Sequence, residues 1–189
     1  MSDVKHSLNI DELVIRAATP EDDKRLSQYF IDNRQHLKPW EPKRDEAFFT
    51  AQGWAKRLIQ LNELHKHNLA YYFVIQWRGS DEVIGTISYS NIVKFPFYAC
   101  HVGYSLAESA QGKGVMRRAL QQTNQWLFDH QDIHRVMAAY IPTNNRSGNV
   151  LSSLGFEKEG YAKNYLFIDD KWQDHVLTSL TNEQWVNPN

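Results

Sequence analysis

Apolar and polar positions along this chain switch repeatedly between a period of two and a period near 3.6. Leu13-Val14-Ile15-Arg16 reads as a first strand. Thr19-Pro20-Glu21-Asp22 then reads as a helix start, with Thr19 as cap, Pro20 in the first turn and acids at the positive end. That helix is expected to run to about Arg34. A second is expected over 47–65, where Trp54, Leu58, Leu61 and Leu64 lie three or four apart on one face. Strand-like segments follow at 70–77, 83–91 and 97–106, separated by Arg78-Gly79-Ser80-Asp81 and by residues 94–96. Helical spacing returns over 116–128. After it come a strand at 135–141, a short helix at 146–154 and strands at 161–168 and 172–180. The order is βααβββαβαββ. No repeat, low-complexity tract or linker interrupts it, so one domain over 1–189 is expected, frayed at about 1–8 and 186–189.

Composition narrows the classes. A chain of 189 residues, 42% hydrophobic and 23% charged, is long enough to bury a core and fits a single domain. With 21 Lys and Arg against 22 Asp and Glu, the formal charge of −1 advertises neither nucleic-acid nor membrane binding. The longest uncharged stretch, from Phe95 to Ala107, is too short to span a bilayer, and the polar start Met1-Ser2-Asp3-Val4-Lys5-His6 is no signal peptide. Cys100 is alone, which excludes an intrachain disulfide and makes the cytoplasm the expected location. His134 and His175 have no Cys or acid at metal-ligand spacing, so no metal is assigned.

The most informative stretch runs from Tyr104-Ser105-Leu106 through Gln111-Gly112-Lys113-Gly114 into Val115-Met116. An apolar strand passes through two glycines directly into a helix starting near Lys113. The first amides of such a helix have no partner inside it, the dipole adds partial positive charge, and glycine lets the backbone come close to a ligand. An anion is expected there. The spacing matches neither the mononucleotide P-loop nor the dinucleotide fingerprint.

Gln111-Gly112-Lys113-Gly114-Val115-Met116 resembles the Gln/Arg-x-x-Gly-x-Gly/Ala pyrophosphate loop of the GNAT acetyltransferases, with Met116 in place of the usual small last residue. The element order is also theirs. A second stretch agrees: the strand from His134 to Ile141, the turn Pro142-Thr143-Asn144-Asn145-Arg146-Ser147 and the hairpin start Leu154-Gly155-Phe156. More narrowly, Asn33 to Glu46, Arg146-Ser147-Gly148, Gly155 to Ala162 and Trp172 to Thr178 resemble the RimJ-type ribosomal-protein-alanine N-acetyltransferases.

The resemblance implies an α/β (α+β) GNAT fold, its mixed and mostly antiparallel sheet splayed at the cofactor site and flanked by helices. It implies acetyl transfer from acetyl-CoA to the N-terminal α-amine of an alanine-starting protein, a small-subunit ribosomal protein. Association with the small subunit would follow. By the same resemblance Gln111, Gly112, Lys113, Gly114, Val115, Met116 and Arg117 bind the pyrophosphate. Tyr104, Ser105 and Leu106 offer backbone groups to the thioester carbonyl and pantetheine amides, and Asn144 bonds the pantetheine arm or serves as a turn residue.

Acyl transfer to an amine needs a neutral amine, a polarised carbonyl and a proton for the leaving thiolate. An α-amine has a pKa of about 7.7–8.0, so a modest base or an ordered water suffices. Donors aimed at developing charge are often the largest catalytic contribution. Related enzymes place a tyrosine acid seven residues after the Asn, where this chain has Leu151, and Ser147 is therefore the candidate acid. The competing reading is that Ser147 caps a helix, with Tyr165 or water as the next donor. Some relatives carry a base five residues before the Asn, but that position is Ala139. His101 titrates near neutrality yet fits a structural role better. Glu41, Asp45 and Glu46 lie where the family binds its peptide: Trp40 is expected as an apolar wall, Glu41 as the amine contact and Asp45 beside it, against the alternative of a solvated loop. Trp54, Trp126 and Trp172 are expected in the core. Two other functions stay open: a small-molecule or other-protein N-acetyltransferase of this superfamily, and a non-catalytic module for ribosome assembly.

Overall fold

The computed structural model describes residues 7–187. Its strands are β1 (Ser7–Ile10), β2 (Leu13–Ala17), β3 (Tyr71–Trp77), β4 (Val83–Val93), β5 (Ala99–Leu106), β6 (Arg135–Tyr140), β7 (Glu157–Ile168) and β8 (Lys171–Thr181). The helices are α1 (Asp23–Asp32), α2 (Arg34–Leu37), α3 (Ala51–Lys66), α4 (Val115–His130) and α5 (Asn145–Ser153). The strands form one sheet in the order β1-β2-β3-β4-β5-β6-β8-β7. Every neighbouring pair is antiparallel except β5 and β6.

Alternation along the strands sorts the helices to two faces. Tyr71 and Phe73 meet Trp126 of α4, with ring centroids 5.0 and 5.6 Å away. Tyr89 hydrogen-bonds Thr123 and Asn124 of the same helix at 2.8 and 2.6 Å. On the opposite face Tyr72 lies 6.0 Å from the ring of Trp54 in α3, and Ser105 hydrogen-bonds Tyr29 of α1. Trp54, 1% exposed, anchors that layer: it stacks on Phe30 at 5.3 Å and touches Phe48 at 5.1 Å. Pairs of this kind each contribute about 0.5–1.5 kcal/mol beyond area burial.

The start of the first helical segment is held electrostatically. Asp22 is fully buried and receives both guanidinium nitrogens of Arg16, at 2.6 and 2.7 Å, and the Thr19 amide at 2.9 Å. Burial pushes its carboxyl up, but Arg16 and Thr19 outweigh that and hold it below the usual range.

Several sequence expectations need correction. Residues 1–6 and 188–189 lie outside the described residues, but Ser7 and Leu8 are not frayed, since they pair with Arg16 and Ile15. The first helix ends at Asp32, close to the expected Arg34, but helical backbone resumes beyond it through α2 and a 3-10 turn, Lys38–Trp40. The second is two pieces. Thr50 accepts a hydrogen bond from the Gly53 amide at 3.0 Å and caps α3 after a separate turn, Glu46–Phe49. The edge strand β7 begins at Glu157, four residues early, because it has no buried face to impose alternation. Trp172 lies near the start of β8, past the end of its pairing with β6, and is 61% exposed with its ring 5.7 Å from that of Phe167, while Trp54 and Trp126 are buried.

Candidate active site

The parallel pairing of β5 with β6 covers Ala99 to His101 opposite Arg135 to Met137 and then stops. Beyond it β5 continues through Leu106 paired only to β4, where Gly85, Thr86 and Ile87 face Leu106, Ser105 and Tyr104. The two strands therefore part, and one edge of Tyr104-Ser105-Leu106 is left without a strand beside it. This is the expected splay, and across it Tyr104 meets Ser147.

From Leu106 the chain enters the glycine loop. Gly112 and Gly114 have φ of +73° and +66°, conformations that cost a side chain about 1 kcal/mol or more. A Cβ added at either would meet nothing within 4 Å, so the loop presents bare backbone to open space. Gly114 is the cap of α4, and the first amide bonded back into that helix is Arg118, leaving those of Val115, Met116 and Arg117 at its positive end. This shape and polarity fit a pyrophosphate. Val115 and Met116 contribute amides only, because their side chains are 1% and 5% exposed in the core, which explains how Met116 is accommodated. Arg117 is exposed. Lys113 turns its Nζ back to the Ser109 carbonyl at 2.9 Å, and Gln111 reaches His36 of α2 at 2.8 Å.

Across the gap, Asn144 accepts a hydrogen bond from the Ser147 amide at 3.1 Å and caps α5. Asn144 is thus the cap, and Ser147 is not. Ser147 stands in the first turn with its hydroxyl turned to β5, where Tyr104 Oη lies 2.7 Å from Oγ. Burial pushes the Tyr104 phenol up to about 12. The sequence reading used Tyr104 only for its backbone and missed this side chain. Alternation gave the available signal, since Tyr104 and Ser105 had to face opposite sides of the strand.

Ser105 faces the α1 and α3 layer, its hydroxyl 2.9 Å from both Tyr29 Oη and Thr86 Oγ1. Glu41, just after the 3-10 turn that ends at Trp40, is near enough to Tyr29 and Tyr72 to disfavour their ionisation. Burial raises the Glu41 carboxyl, against the pull of Arg44 and Arg57. Its ion-pair contact, Arg44 Nε at 4.0 Å, is beyond hydrogen-bond reach, and that Nε is itself buried without a hydrogen-bond partner. Trp40 is 37% exposed beside it. Asp45 is engaged as a cap: its Oδ1 accepts the Phe48 amide at 2.9 Å at the start of the turn Glu46–Phe49, while Glu46 pairs with Arg34 at 2.6 Å. His101 belongs to the closed part of the sheet, opposite Ser90 and Met137, and burial lowers its pKa. Tyr165 lies on β7 with its ring 5.4 Å from His175.

An antiparallel sheet splayed after one parallel pair, with a glycine loop and helix start at the opening, defines an acyltransferase of the acetyl-CoA-dependent kind. The chain belongs to the acetyltransferase (GNAT) family, whose domain model matches residues 12–157. It is 48% identical over 182 residues to the [Ribosomal protein uS5]-alanine N-acetyltransferase of Escherichia coli (strain K12), covering 96% of this chain and 94% of that one. The crystal structure of ribosomal-protein-S5-alanine acetyltransferase from Vibrio fischeri superposes with a TM-score of 0.95 at 53% identity, covering 97% of this chain and all of the other. Mycobacterium smegmatis RimJ in complex with CoA-disulfide matches with a TM-score of 0.87 at 27% identity, over 96% of this chain and 88% of that one.

Proposed function

We propose that this acetyltransferase moves the acetyl group of acetyl-CoA to the α-amine of an alanine-starting ribosomal protein, a small-subunit protein such as the one its relatives are named for. The observation that carries the reading is the alignment of three parts on one gap: the bare glycine loop, the free edge of β5, and the Ser147 hydroxyl opposite it.

In this reading Gln111 to Arg117 hold the pyrophosphate, and the edge of Tyr104-Ser105-Leu106 takes the pantetheine amides and the thioester carbonyl. Asn144 fixes α5 and orients the arm, and Ser147 gives the leaving thiolate its proton. On the other face Glu41 receives the cationic N-terminus. A largely buried carboxylate with no hydrogen-bonded cation of its own has unused acceptor capacity, and an ammonium meets it in kind. Trp40 walls the same side. Asp45, engaged as a cap, adds negative potential without touching the amine. A ribosomal acceptor also implies work in the cytoplasm and a passing association with the small subunit.

The test is thiol release from acetyl-CoA with short peptides beginning Ala, Ser or Met and a peptide whose only amine is an internal lysine. Preferred turnover of the Ala peptide is expected. Acetylation of the lysine peptide alone would overturn the assignment.

A further inference from the structure

If β5 and β6 had stayed together, the register that pairs Ala99 with Arg135 and His101 with Met137 would set Tyr104 opposite Tyr140. They part before that point, and the contact between Tyr104 Oη and Ser147 Oγ spans the opening instead, at 2.7 Å. Two features hold it there. Tyr140 lies against α5 so closely that a Cβ at Gly148 would come within 2.9 Å of its ring, which fixes the helix start against β6. Asn144 bonds the Ser147 amide, which fixes the serine within that start. The Ser147 carbonyl is farther from the phenol, at 3.4 Å, so the hydroxyl is its better partner.

We propose that Tyr104 is the positioning residue for proton delivery: its phenol donates to Ser147 Oγ, leaving the serine hydroxyl hydrogen free to point at the sulfur of the leaving group. The inference rests on the reading of Ser147 as the donor. In the transfer, the amine lone pair forms the C–N bond and the C–S electrons pass to sulfur. Sulfur takes the Ser147 proton, and the proton shed by the acylated nitrogen passes through water and restores the serine, so protons balance. While Ser147 gives up its hydrogen its oxygen gains negative charge, and a hydrogen bond from the phenol strengthens at that moment. Burial pushes the phenol pKa up, so near neutral pH it remains a donor.

The experiment compares the wild type, Ser147→Ala, Tyr104→Phe and the double variant, with kcat and both KM values measured alongside melting and calorimetric coenzyme A affinity. Ser147→Ala should lower kcat by about 10- to 10⁴-fold. Tyr104→Phe should lower kcat by about 10- to 100-fold, at or below the lower end of the acid–base range because the phenol acts through Ser147, with KM and affinity near wild type. The double variant should be no slower than Ser147→Ala within about twofold, because residues that act as a unit are non-additive. Losses that multiply, or a Tyr104→Phe of normal kcat beside a slowed Ser147→Ala, would overturn the role of Tyr104 alone. A fully active Ser147→Ala would overturn the reading of Ser147 beneath it. Should Tyr104→Phe fail to fold, a fluorinated tyrosine at 104 replaces it. Its more acidic phenol should bring an alkaline loss of kcat into a pH range where the wild type shows none, and a profile identical to that of the wild type would overturn the proposal.

Discussion

The glycine loop ahead of α4 and the segment between α2 and α3 are held in different ways. The loop's shape is local: two positive φ values and a helix start fix it within a few residues, and Arg118 ties the helix to the β1–β2 turn through Asp11 and Glu12. The segment between α2 and α3, the proposed acceptor side, is assembled from afar. Lys38 and Lys43 reach Asp169 and Asp170 at the β7–β8 turn, Arg34 reaches Glu46, and Arg44 and Arg57 lie over the Phe48 ring at 4.7 and 5.4 Å. A phosphate is the same in every cycle and suits a rigid cradle of amides, whereas a peptide end is recognised by side chains that several elements must bring together.

The sharpest break of this contrast is Gly114→Glu. A side chain at φ +66° is strained, and a carboxylate would occupy the space in front of the helix start and repel the pyrophosphate. Calorimetry with coenzyme A should show no binding while the melting curve stays cooperative. Undiminished affinity in the folded variant would take the loop out of the cofactor site.

Next comes the point from which the acceptor layer hangs. Asp22→Ala removes the partner of Arg16 and uncaps the first helical turn, and should cost about 3 kcal/mol, the lower end for breaking a buried pair, because Arg16 remains partly exposed. The Asp22 carboxyl is held below its ordinary value, so its contribution is complete above the unfolded pKa of about 3.9 and is lost as pH falls through the folded one. Acid unfolding of the wild type should thus steepen below about pH 4, and the variant should lack that step. A variant with an unaltered acid limb would show that Asp22 is not its source.

Glu41→Gln separates the two sides of the site. Losing a charge-assisted contact to the peptide amine, worth about 1.5–3 kcal/mol, should raise peptide KM by roughly 10- to 150-fold and leave coenzyme A affinity as it was. Burial raises the Glu41 carboxyl, so peptide use by the wild type should fall on the acid side at a pH above the ordinary glutamate value of about 4.3, and Gln should remove that limb. Weakened coenzyme A binding instead would mean the carboxylate belongs to the other side.

The same contrast explains what the sequence made legible. The loop could be read residue by residue because glycine at positive φ, a helix cap and an apolar strand leave short-range signals, and the element order followed from periodicity except for β1 and the one-turn α2. Ser147 was legible as a hydroxyl in the turn, but its partner was not: Tyr104 is 43 positions away in the chain, and nothing local reveals a contact made across a splay. The capping role of Asp45 was not legible, because an acid before a short helical turn has the same composition whether it binds a ligand or caps. The start of β7 escaped because an edge strand exposed on both faces over most of its length carries no alternation, and Trp172 because it sits at the hairpin tip of β8, past the end of the pairing with β6.

The smallest effect concerns the exposed pairs at the β7–β8 turn. Lys43 Nζ is 2.9 Å from Asp170 Oδ2, but both side chains are mostly exposed, at 72% and 60%. In high dielectric such a pair offsets little more than the entropy of holding two flexible side chains, so Lys43→Ala should change stability by less than about 1 kcal/mol. Its value in the comparison lies in function. If the hairpin only covers the Trp40 loop, peptide KM should rise no more than about twofold, and added salt should erase the difference by screening the wild-type pair. A KM rise as large as that of Glu41→Gln, unaffected by salt, would show that the hairpin sets the acceptor loop's geometry, and the distinction between a rigid cofactor side and a loosely tied acceptor side would fail.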